Sequence, residues 1–224
     1  MAVLENIVVG VLDLDIEDIQ FLQPKFNEDN TDKGAYKNMS ADEFGGWSLV
    51  KKECEEQLKL NTFFDNPILI EDKYVIIQID TAECENTGYD VKRPDKAEEN
   101  YCEVLRNAVI EKINSWLGNQ WQDQIHYAIC IEETEAWVHT LYENKDTSKA
   151  LNAKEAFQKY LNKERRINKK LDKQIQKLTN KTEFDKSSSI SKGFTKLLSK
   201  KGKKVLERNE SLNVFVEKLE IIKE

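Results

Sequence analysis

Three apolar runs in the first 131 residues have the length and composition of β-strands. They cover Asn6–Leu12, Tyr74–Asp80 and Ile125–Ile131. Each is rich in β-branched or aromatic residues and lacks polar alternation, which is typical of strands buried on both faces of a parallel sheet. Segments with helical spacing separate the runs. The pattern therefore predicts an α/β fold with a mostly parallel sheet flanked by helices.

Apolar residues at helical spacing predict the helices. Before residue 145 the predicted helices are Asp15–Phe26, Trp47–Leu60, Tyr101–Leu117 and a helix that begins near Trp137. Gly118 and Asn119 end the third of these helices. After residue 145 they are a helix capped by Ser148, a helix over Ile167–Leu178, a short one over Phe194–Leu198 and a last one over Leu212–Ile222, with a break at Ser187–Ser189. No strand is predicted after Lys145. We therefore expect an α/β domain over residues 1–144 and a C-terminal helical subdomain over residues 145–224.

Charge separates the same two segments. Residues 145–224 hold 22 Lys and Arg against 11 Asp and Glu, whereas the whole chain has a net charge of −7. An acidic domain that holds cations, joined to a basic one that holds phosphate, suits an enzyme of nucleic acids. Eight basic residues are the candidate phosphate contacts: Arg165, Arg166, Lys169, Lys170, Lys200, Lys201, Lys203 and Lys204. The alternative is that these lysines and arginines only cover the solvent faces of helices.

The N-terminus and the cysteines indicate a cytoplasmic protein. The first nine residues lack the features of a signal peptide, and no apolar run is long enough to cross a membrane. Cys54, Cys84, Cys102 and Cys130 are widely spaced, so free thiols are a better interpretation than disulfides or a zinc site. We expect no membrane partner.

Acidic residues follow the end of each predicted strand. They are Asp13 and Asp15, then Asp80, Glu83 and Glu85, then Glu132, Glu133 and Glu135. Because parallel strands end at one edge of a sheet, where ligands usually bind, we expect these carboxylates to converge. Converging carboxylates repel one another unless a cation neutralises them, and oxygen ligands suit Mg²⁺ or Mn²⁺. The alternative is that some of them, such as Asp15, Glu132 and Glu133, cap helices or stabilise their first turns.

Three short motifs resemble the Toprim domain of topoisomerases, primases and overcoming-lysogenization-type nucleases. They are Val8-Val9-Gly10-Val11-Leu12-Asp13, Ile77-Gln78-Ile79-Asp80-Thr81-Ala82 and Ile131-Glu132-Glu133-Thr134-Glu135-Ala136-Trp137. The chain is more closely similar to small stand-alone Toprim-like proteins of bacteria, some of which are associated with phage defence. The resemblance covers Val3 to Tyr142.

This resemblance implies a nuclease that depends on Mg²⁺ or Mn²⁺. Asp80, Glu83 and Glu135 would be the catalytic residues, and the metal ligands would be Asp13, Asp80, Glu83 and Glu135. Metal-assisted phosphodiester hydrolysis is the corresponding chemistry. Nucleic acid is then the expected partner, and a protein partner is also possible.

Two residues depart from the Toprim pattern. Val9 stands where the first motif has Glu, and Ala82 stands where the second motif has its second Asp. Glu83 or Glu85 would replace the second Asp, and Asp13 or Asp15 the missing Glu. The departures favour an alternative, in which a catalytically degenerate Toprim-like protein binds a protein partner or nucleic acid. A small-molecule phosphohydrolase is a third possibility.

The two histidines are secondary candidates. His126 lies inside a predicted strand, where a core position or a contact with a partner is the simpler interpretation. His139 follows Glu135 by four residues, so the two share a helix face and form a possible metal-binding or acid–base pair. The chain has no G-x-x-x-x-G-K-[ST] loop, which argues against ATP hydrolysis.

Overall fold

The computed structural model describes residues 2–22, 46–66, 73–140, 144–167 and 203–223. This part of the chain contains seven α-helices and a parallel pair of β-strands, which confirms the α/β class. The helices are α1 (Ala2–Leu12), α2 (Trp47–Glu56), α3 (Leu58–Phe64), α4 (Tyr101–Trp116), α5 (Thr134–His139), α6 (Ala153–Ile167) and α7 (Glu210–Lys223), and the strands are β1 (Val75–Asp80) and β2 (Ile125–Cys130). Short 3₁₀ helices cover Ile16–Asp18 and Lys203–Arg208. Among these helices none is long and apolar enough to cross a lipid bilayer.

The two strands and the helix between them match their predicted positions. The Val75 amide donates a hydrogen bond to the Gln124 carbonyl at 2.9 Å, where the pairing of β1 with β2 begins. α4 connects the strands, as a parallel pair requires. Alternate residues of β1 are buried and the others are half-buried, so only one face of the strand is fully covered. The prediction that both faces are buried is therefore wrong for β1. In the described residues the sheet has two strands.

The predicted first strand, Asn6–Leu12, is wrong, because this segment belongs to α1. Val3, Ile7 and Val8 are buried, and this spacing places them on one helix face. α1 packs against α7, which provides the apolar partner for that face. A short continuous apolar run fits both a buried strand and a buried helix, because it shows neither period clearly. The packing of this segment against α7 favours the helix.

The predicted helix Asp15–Phe26 is also wrong in its described part. Residues 16–18 form a single 3₁₀ turn, and residues 19–22 have no regular structure. The Asp15 amide donates to Asp18 Oδ2 at 3.0 Å, which favours this local turn over a continuing helix. Residues 23–26 lie outside the described part of the chain.

The predicted helix Trp47–Leu60 is divided into α2 and α3 at Gln57. Gln57 has a φ of 55°, in the left-handed region, and so ends α2. Its side-chain Nε2 donates to the Leu117 carbonyl at 2.8 Å, at the C-terminus of α4. Gly118 then follows with a φ of 61°, in agreement with the predicted end of that helix. The break therefore allows one side chain to cap a neighbouring helix.

Helices α6 and α7 confirm two of the predicted C-terminal helices, but Ser148 caps a different helix from the one expected. α6 begins at Ala153, and the Ser148 hydroxyl instead accepts a hydrogen bond from the Glu210 amide at 2.9 Å, at the first residue of α7. The predicted helix Ile167–Leu178, apart from its first residue, lies outside the described residues. So do the predicted helix Phe194–Leu198 and the break at Ser187–Ser189.

The chain divides into two compact units. The terminal unit comprises Met1–Asp18 and Cys130–Glu224, and the central unit comprises Ile19–Ile129. The boundary predicted after residue 144 falls within the terminal unit. In the central unit α2 packs against α3, α4 and β1, whereas in the terminal unit α1 packs on α7 and α5 packs on α6.

Trp137 in the terminal unit and Tyr89 in the central unit are among the largest fully buried side chains that the structure describes. In the central unit, Tyr89 stacks on Trp47, with ring centroids 5.4 Å apart, and also contacts Trp116. In the terminal unit, Trp137 stacks on Phe215 of α7 at 5.6 Å. Aromatic residues of this size contribute much of the apolar area that each unit buries.

A buried chain of polar side chains joins α5 to α7 within the terminal unit. The Trp137 indole donates to Ser211 Oγ at 2.8 Å, and Ser211 Oγ donates to Asn209 Oδ1 at 3.0 Å. Asn209 Nδ2 donates to Thr147 Oγ1 at 3.0 Å, and Thr147 shares a hydrogen bond of 2.9 Å with Thr140. All five residues are buried, so each hydrogen bond offsets a desolvation cost that water cannot relieve.

We predict that Asn209→Ala destabilises the terminal unit by about 2–4 kcal/mol. Asn209 immediately precedes α7, and its Oδ1 also accepts a hydrogen bond from the Leu212 amide at 3.0 Å. The substitution therefore removes a helix cap and one hydrogen bond each from Thr147 and Ser211. Equilibrium unfolding in urea, followed by far-UV circular dichroism, measures the loss.

Asn213→Ala is the matched control. Asn213 lies in the same helix, and its side chain makes an exposed hydrogen bond to Glu217 at 2.8 Å. We expect this substitution to cost less than about 0.5 kcal/mol, as is usual for surface changes. Equal losses in the two variants would contradict the structural role of the buried chain.

Candidate metal site at the end of the first strand

Asp80 is the last residue of β1, at the edge of the sheet where both parallel strands end. Its side chain is half-buried, and Oδ1 accepts a hydrogen bond from the Ala82 amide at 3.3 Å. Its carbonyl oxygen accepts a hydrogen bond from the Tyr89 hydroxyl at 3.2 Å. The carboxylate and the backbone of Asp80 are therefore both positioned by the segment that follows the strand.

This segment, residues 81–93, folds as a compact loop with a buried inner side and an exposed outer side. Thr81, Cys84, Tyr89 and Val91 are buried, and the Val91 amide donates to the Cys84 carbonyl at 2.8 Å. Acidic residues Glu83 and Glu85 are exposed on the same loop. The loop therefore presents carboxylates to solvent next to the end of β1.

Gly88 is required at the tip of this loop. Its φ is +97°, and a Cβ atom there would lie 3.2 Å from the Trp47 ring. Both the backbone conformation and the close ring therefore favour glycine. The Gly88 carbonyl also accepts a hydrogen bond from Lys51 Nζ at 3.2 Å, which ties the loop to α2.

Arg93 closes the loop. One guanidinium nitrogen, Nη2, donates to the carbonyls of Thr81 and Ala82, the latter at 2.9 Å. Nη1 donates to the Tyr101 hydroxyl at 3.3 Å, at the start of α4. Nε lies 3.6 Å from Glu85 Oε2. A planar guanidinium with several fixed acceptors holds a loop more precisely than a flexible ammonium group can.

Glu85 is consequently engaged in loop structure. Besides its ion pair with Arg93, its Oε1 accepts a hydrogen bond from the Arg93 amide at 3.3 Å. Of the two residues considered as replacements for the second Toprim aspartate, Glu83 is the better candidate. Asp80 and Glu83 are thus the predicted ligands that the central unit supplies.

The acids after β2 belong to the terminal unit and have different environments. Glu132 is buried and has a φ of 63°, and Glu135 is buried in the first turn of α5. Glu133 Oε2 accepts a hydrogen bond from the Lys154 amide at 3.0 Å, at the start of α6. Glu133 therefore stabilises the N-terminus of α6. This agrees with the alternative to metal binding, in which such acids stabilise the first turns of helices.

Asp13 does not follow a strand. It directly follows α1 with a φ of 61°, and its amide donates to the Val9 carbonyl at 3.0 Å, so it ends the helix. The prediction that Asp13 and Asp15 follow the end of a β-strand is therefore wrong, because the preceding residues are helical. Asp13 and Glu135 lie in the terminal unit, whereas Asp80 and Glu83 lie in the central unit. A shared metal site for all four stays a prediction.

The histidines differ in their surroundings. His139 is buried, and its ring contacts Phe157 at 5.7 Å and Tyr160 at 5.9 Å, both on α6. His126 is half-buried, and its ring contacts Tyr74 at 5.2 Å, near the start of both strands. It therefore lies at the edge of the sheet opposite to Asp80, as a structural residue would.

The predicted phosphate-binding residues fall largely outside what the structure describes. Arg165 and Arg166 are part of α6, and Lys203 and Lys204 are part of the second 3₁₀ helix, but their side chains are outside the described set. Lys169, Lys170, Lys200 and Lys201 lie outside the described residues entirely. Their role in binding nucleic acid stays a prediction.

None of the four cysteines forms a disulfide, which confirms the prediction of thiols, and all four are buried, which had not been predicted. Burial, with a smaller contribution from Glu53 and Glu55, raises the pKa of the Cys54 thiol to about 12. Burial, and next the neighbouring Cys54, raises the pKa of Tyr127 to about 12. Both groups therefore stay neutral near pH 7. Their contribution to stability is complete below their ordinary pKa values and is lost as the pH rises towards 12.

Comparison with known proteins gives no relative: no family model, curated protein or solved structure matches this chain. Among the described residues, no group of three or more His, Cys, Asp and Glu side chains is arranged to hold a metal ion. The position of Asp80 at the end of β1 is therefore the main structural indication of a site. Arg93 and Tyr89, which position Asp80, were not identified from the sequence.

We predict that Arg93→Met loosens the loop and lowers the free energy of unfolding by about 1–3 kcal/mol, since two backbone carbonyls and a hydroxyl lose their donor. The amide proton of Val91, inside the loop, should exchange faster with solvent. Lys92→Met is the control, because Lys92 is adjacent and exposed. Unchanged protection of the Val91 amide in Arg93→Met would show that the guanidinium does not hold the loop.

Proposed function

We propose that this chain is a phosphodiesterase that acts on nucleic acid with Mg²⁺ or Mn²⁺, built on a Toprim-like α/β domain. The observation that supports the proposal most strongly is the position of Asp80 at the carboxyl end of a parallel strand. In open α/β sheets this edge is where ligands bind. The resemblance of residues 77–82 to the Toprim strand end gives the same position a metal-binding role.

The residues of the central unit fit a magnesium site in their donor chemistry. Asp80 and the exposed Glu83 provide hard carboxylate oxygens three residues apart. Mg²⁺ keeps several waters and commonly binds through only one or two carboxylates together with substrate phosphates. A pair of carboxylates is therefore a sufficient protein contribution.

When bound, the metal would polarise the phosphoryl oxygen and lower the pKa of a water molecule. The chain would orient the site through Asp80, whose carbonyl is held by Tyr89 and whose following loop is closed by Arg93. Arg165, Arg166 and the lysines of the C-terminal segment would contact the phosphate backbone of the substrate. A role in phage defence is suggested by the resemblance alone.

A second candidate function is supported by the first motif. Val9, where Toprim enzymes have Glu, lies in helix α1 and can neither bind a metal nor transfer a proton. Ala82 is likewise not a ligand. These features favour a catalytically degenerate Toprim-like protein that binds a protein partner or nucleic acid. Such a protein would bind its partner without requiring a divalent cation.

We predict that the purified chain cleaves DNA or RNA in the presence of Mn²⁺ and that Asp80→Asn lowers the rate at least about 100-fold, through the loss of a charged ligand. Asparagine keeps an oxygen for the Ala82 amide, so the loop should remain folded. The measurement is a cleavage assay on single-stranded and double-stranded DNA and RNA, with EDTA as a blank.

Asp123→Asn is the control for this assay. Asp123 is exposed and lies just before β2, at the edge opposite to Asp80, so the variant should keep full activity. Cleavage that is unchanged in Asp80→Asn would remove Asp80 from the site. Nucleic-acid binding without cleavage, equal with and without metal, would support the second candidate.

A further inference from the structure

Helix α2 contacts the loop that follows Asp80 through two side chains on one of its faces. Trp47 and Lys51 are one helical turn apart, so they lie on the same side of α2. The Trp47 ring stacks on Tyr89, with ring centroids 5.4 Å apart and ring planes inclined by 29°. Lys51 Nζ donates a hydrogen bond to the Gly88 carbonyl at 3.2 Å. An aromatic stack and a hydrogen bond therefore hold the tip of the loop against α2.

Tyr89 extends this contact to the candidate site. Its ring is fully buried and contacts both Trp47 and Trp116. Its hydroxyl donates to the Asp80 carbonyl at 3.2 Å. Trp116 is buried at the end of α4, whereas Trp47 is half-buried at the first residue of α2. A shift of the Trp47 ring would therefore allow Tyr89 to move and would change the backbone position of Asp80.

We infer that Trp47 is a positioning residue for the metal ligand Asp80 and that it acts through Tyr89. The inference rests on the proposed function, because it assumes that Asp80 binds a divalent cation. Residues that orient a metal ligand commonly change the metal affinity when they are substituted, although they do not touch the metal. Such coupling is reciprocal, so binding of the cation should also alter the surroundings of the Trp47 ring.

Trp121 provides a matched control within the central unit. Its ring stacks on Phe64, with centroids 5.3 Å apart and planes inclined by 20°, and it is half-buried like Trp47. Trp121 precedes β2, whereas Asp80 ends β1, so the two lie at opposite edges of the parallel pair. The loss of a stacked indole is therefore similar at the two positions, but only Trp47 supports the candidate site.

The first test is a calorimetric titration of Mg²⁺, and separately of Mn²⁺, into the wild type and three variants. We expect Trp47→Leu to bind the cation about five- to tenfold more weakly than the wild type, because Asp80 is less well positioned. Trp47→Phe keeps an aromatic ring and should recover most of the affinity. Trp121→Leu should bind as tightly as the wild type.

A double-mutant cycle tests whether Trp47 acts through Tyr89. Tyr89→Phe keeps the aromatic stack but removes the hydroxyl that donates to Asp80, so it should also weaken binding of the cation. If the two residues act in one chain of contacts, the variant with both Trp47→Leu and Tyr89→Phe should bind no more than about twofold more weakly than the weaker single variant. Fully additive losses would show that Trp47 does not act through Tyr89.

A spectroscopic measurement on the wild type avoids any loss of folding in Trp47→Leu. The chain has four tryptophans, so labelling with 5-fluorotryptophan gives four ¹⁹F resonances. The resonance that is missing in Trp47→Phe belongs to Trp47, and the one missing in Trp121→Leu belongs to Trp121. We expect the Trp47 resonance to shift saturably as Mg²⁺ is added, and the Trp121 resonance to stay in place.

Three results would overturn the inference while leaving Asp80 as a ligand. They are equal cation affinities of the wild type and Trp47→Leu, an equal loss of affinity in Trp47→Leu and Trp121→Leu, and a Trp47 resonance that does not shift although the wild type binds Mg²⁺. The absence of saturable binding of either cation by the wild type would instead contradict the proposed function itself, and the inference with it.

Discussion

The parallel pairing of β1 and β2 is the constraint on which the central unit and the candidate site depend. A parallel pair requires a crossover, and α4 provides it between Asp80 and Ile125. The segment that leaves β1 must then cross the end of the strand before α4 begins. This crossing segment places Glu83 in solvent and allows Arg93 to join Thr81 to Tyr101. The exposure of Glu83 and the hydrogen bonds of Arg93 that hold the loop therefore result from the same strand connection.

The sequence predicted elements well where the apolar pattern had a clear period or a clear end. α4 has buried residues at helical spacing and a glycine at its end, and β1 and β2 are short apolar runs followed by polar loops. The pattern failed for residues 6–12, because an apolar run of this length fits both a strand and a buried helix. Only the packing of α1 on α7, which is distant in sequence, distinguishes the two.

Side-chain contacts between distant residues were the other part that the sequence could not reveal. Ser148 was expected to cap the helix that follows it and instead accepts a hydrogen bond from Glu210, 62 residues away. Gln57 interrupts a helical pattern because its side chain binds the end of α4. At the candidate site, Asp80 was predictable from its position at a strand end. The roles of Tyr89 and Arg93 depend on a loop geometry that no local pattern encodes.

The proposed function depends on Asp80 as a ligand for a divalent cation. The most direct measurement is a calorimetric titration of Mn²⁺ into the wild type, Asp80→Asn and Asp123→Asn. We predict saturable binding by the wild type and by Asp123→Asn, and an affinity for Asp80→Asn that is at least about tenfold weaker because one charged ligand is lost. Equal binding by all three proteins, or no saturable binding by any of them, would contradict it.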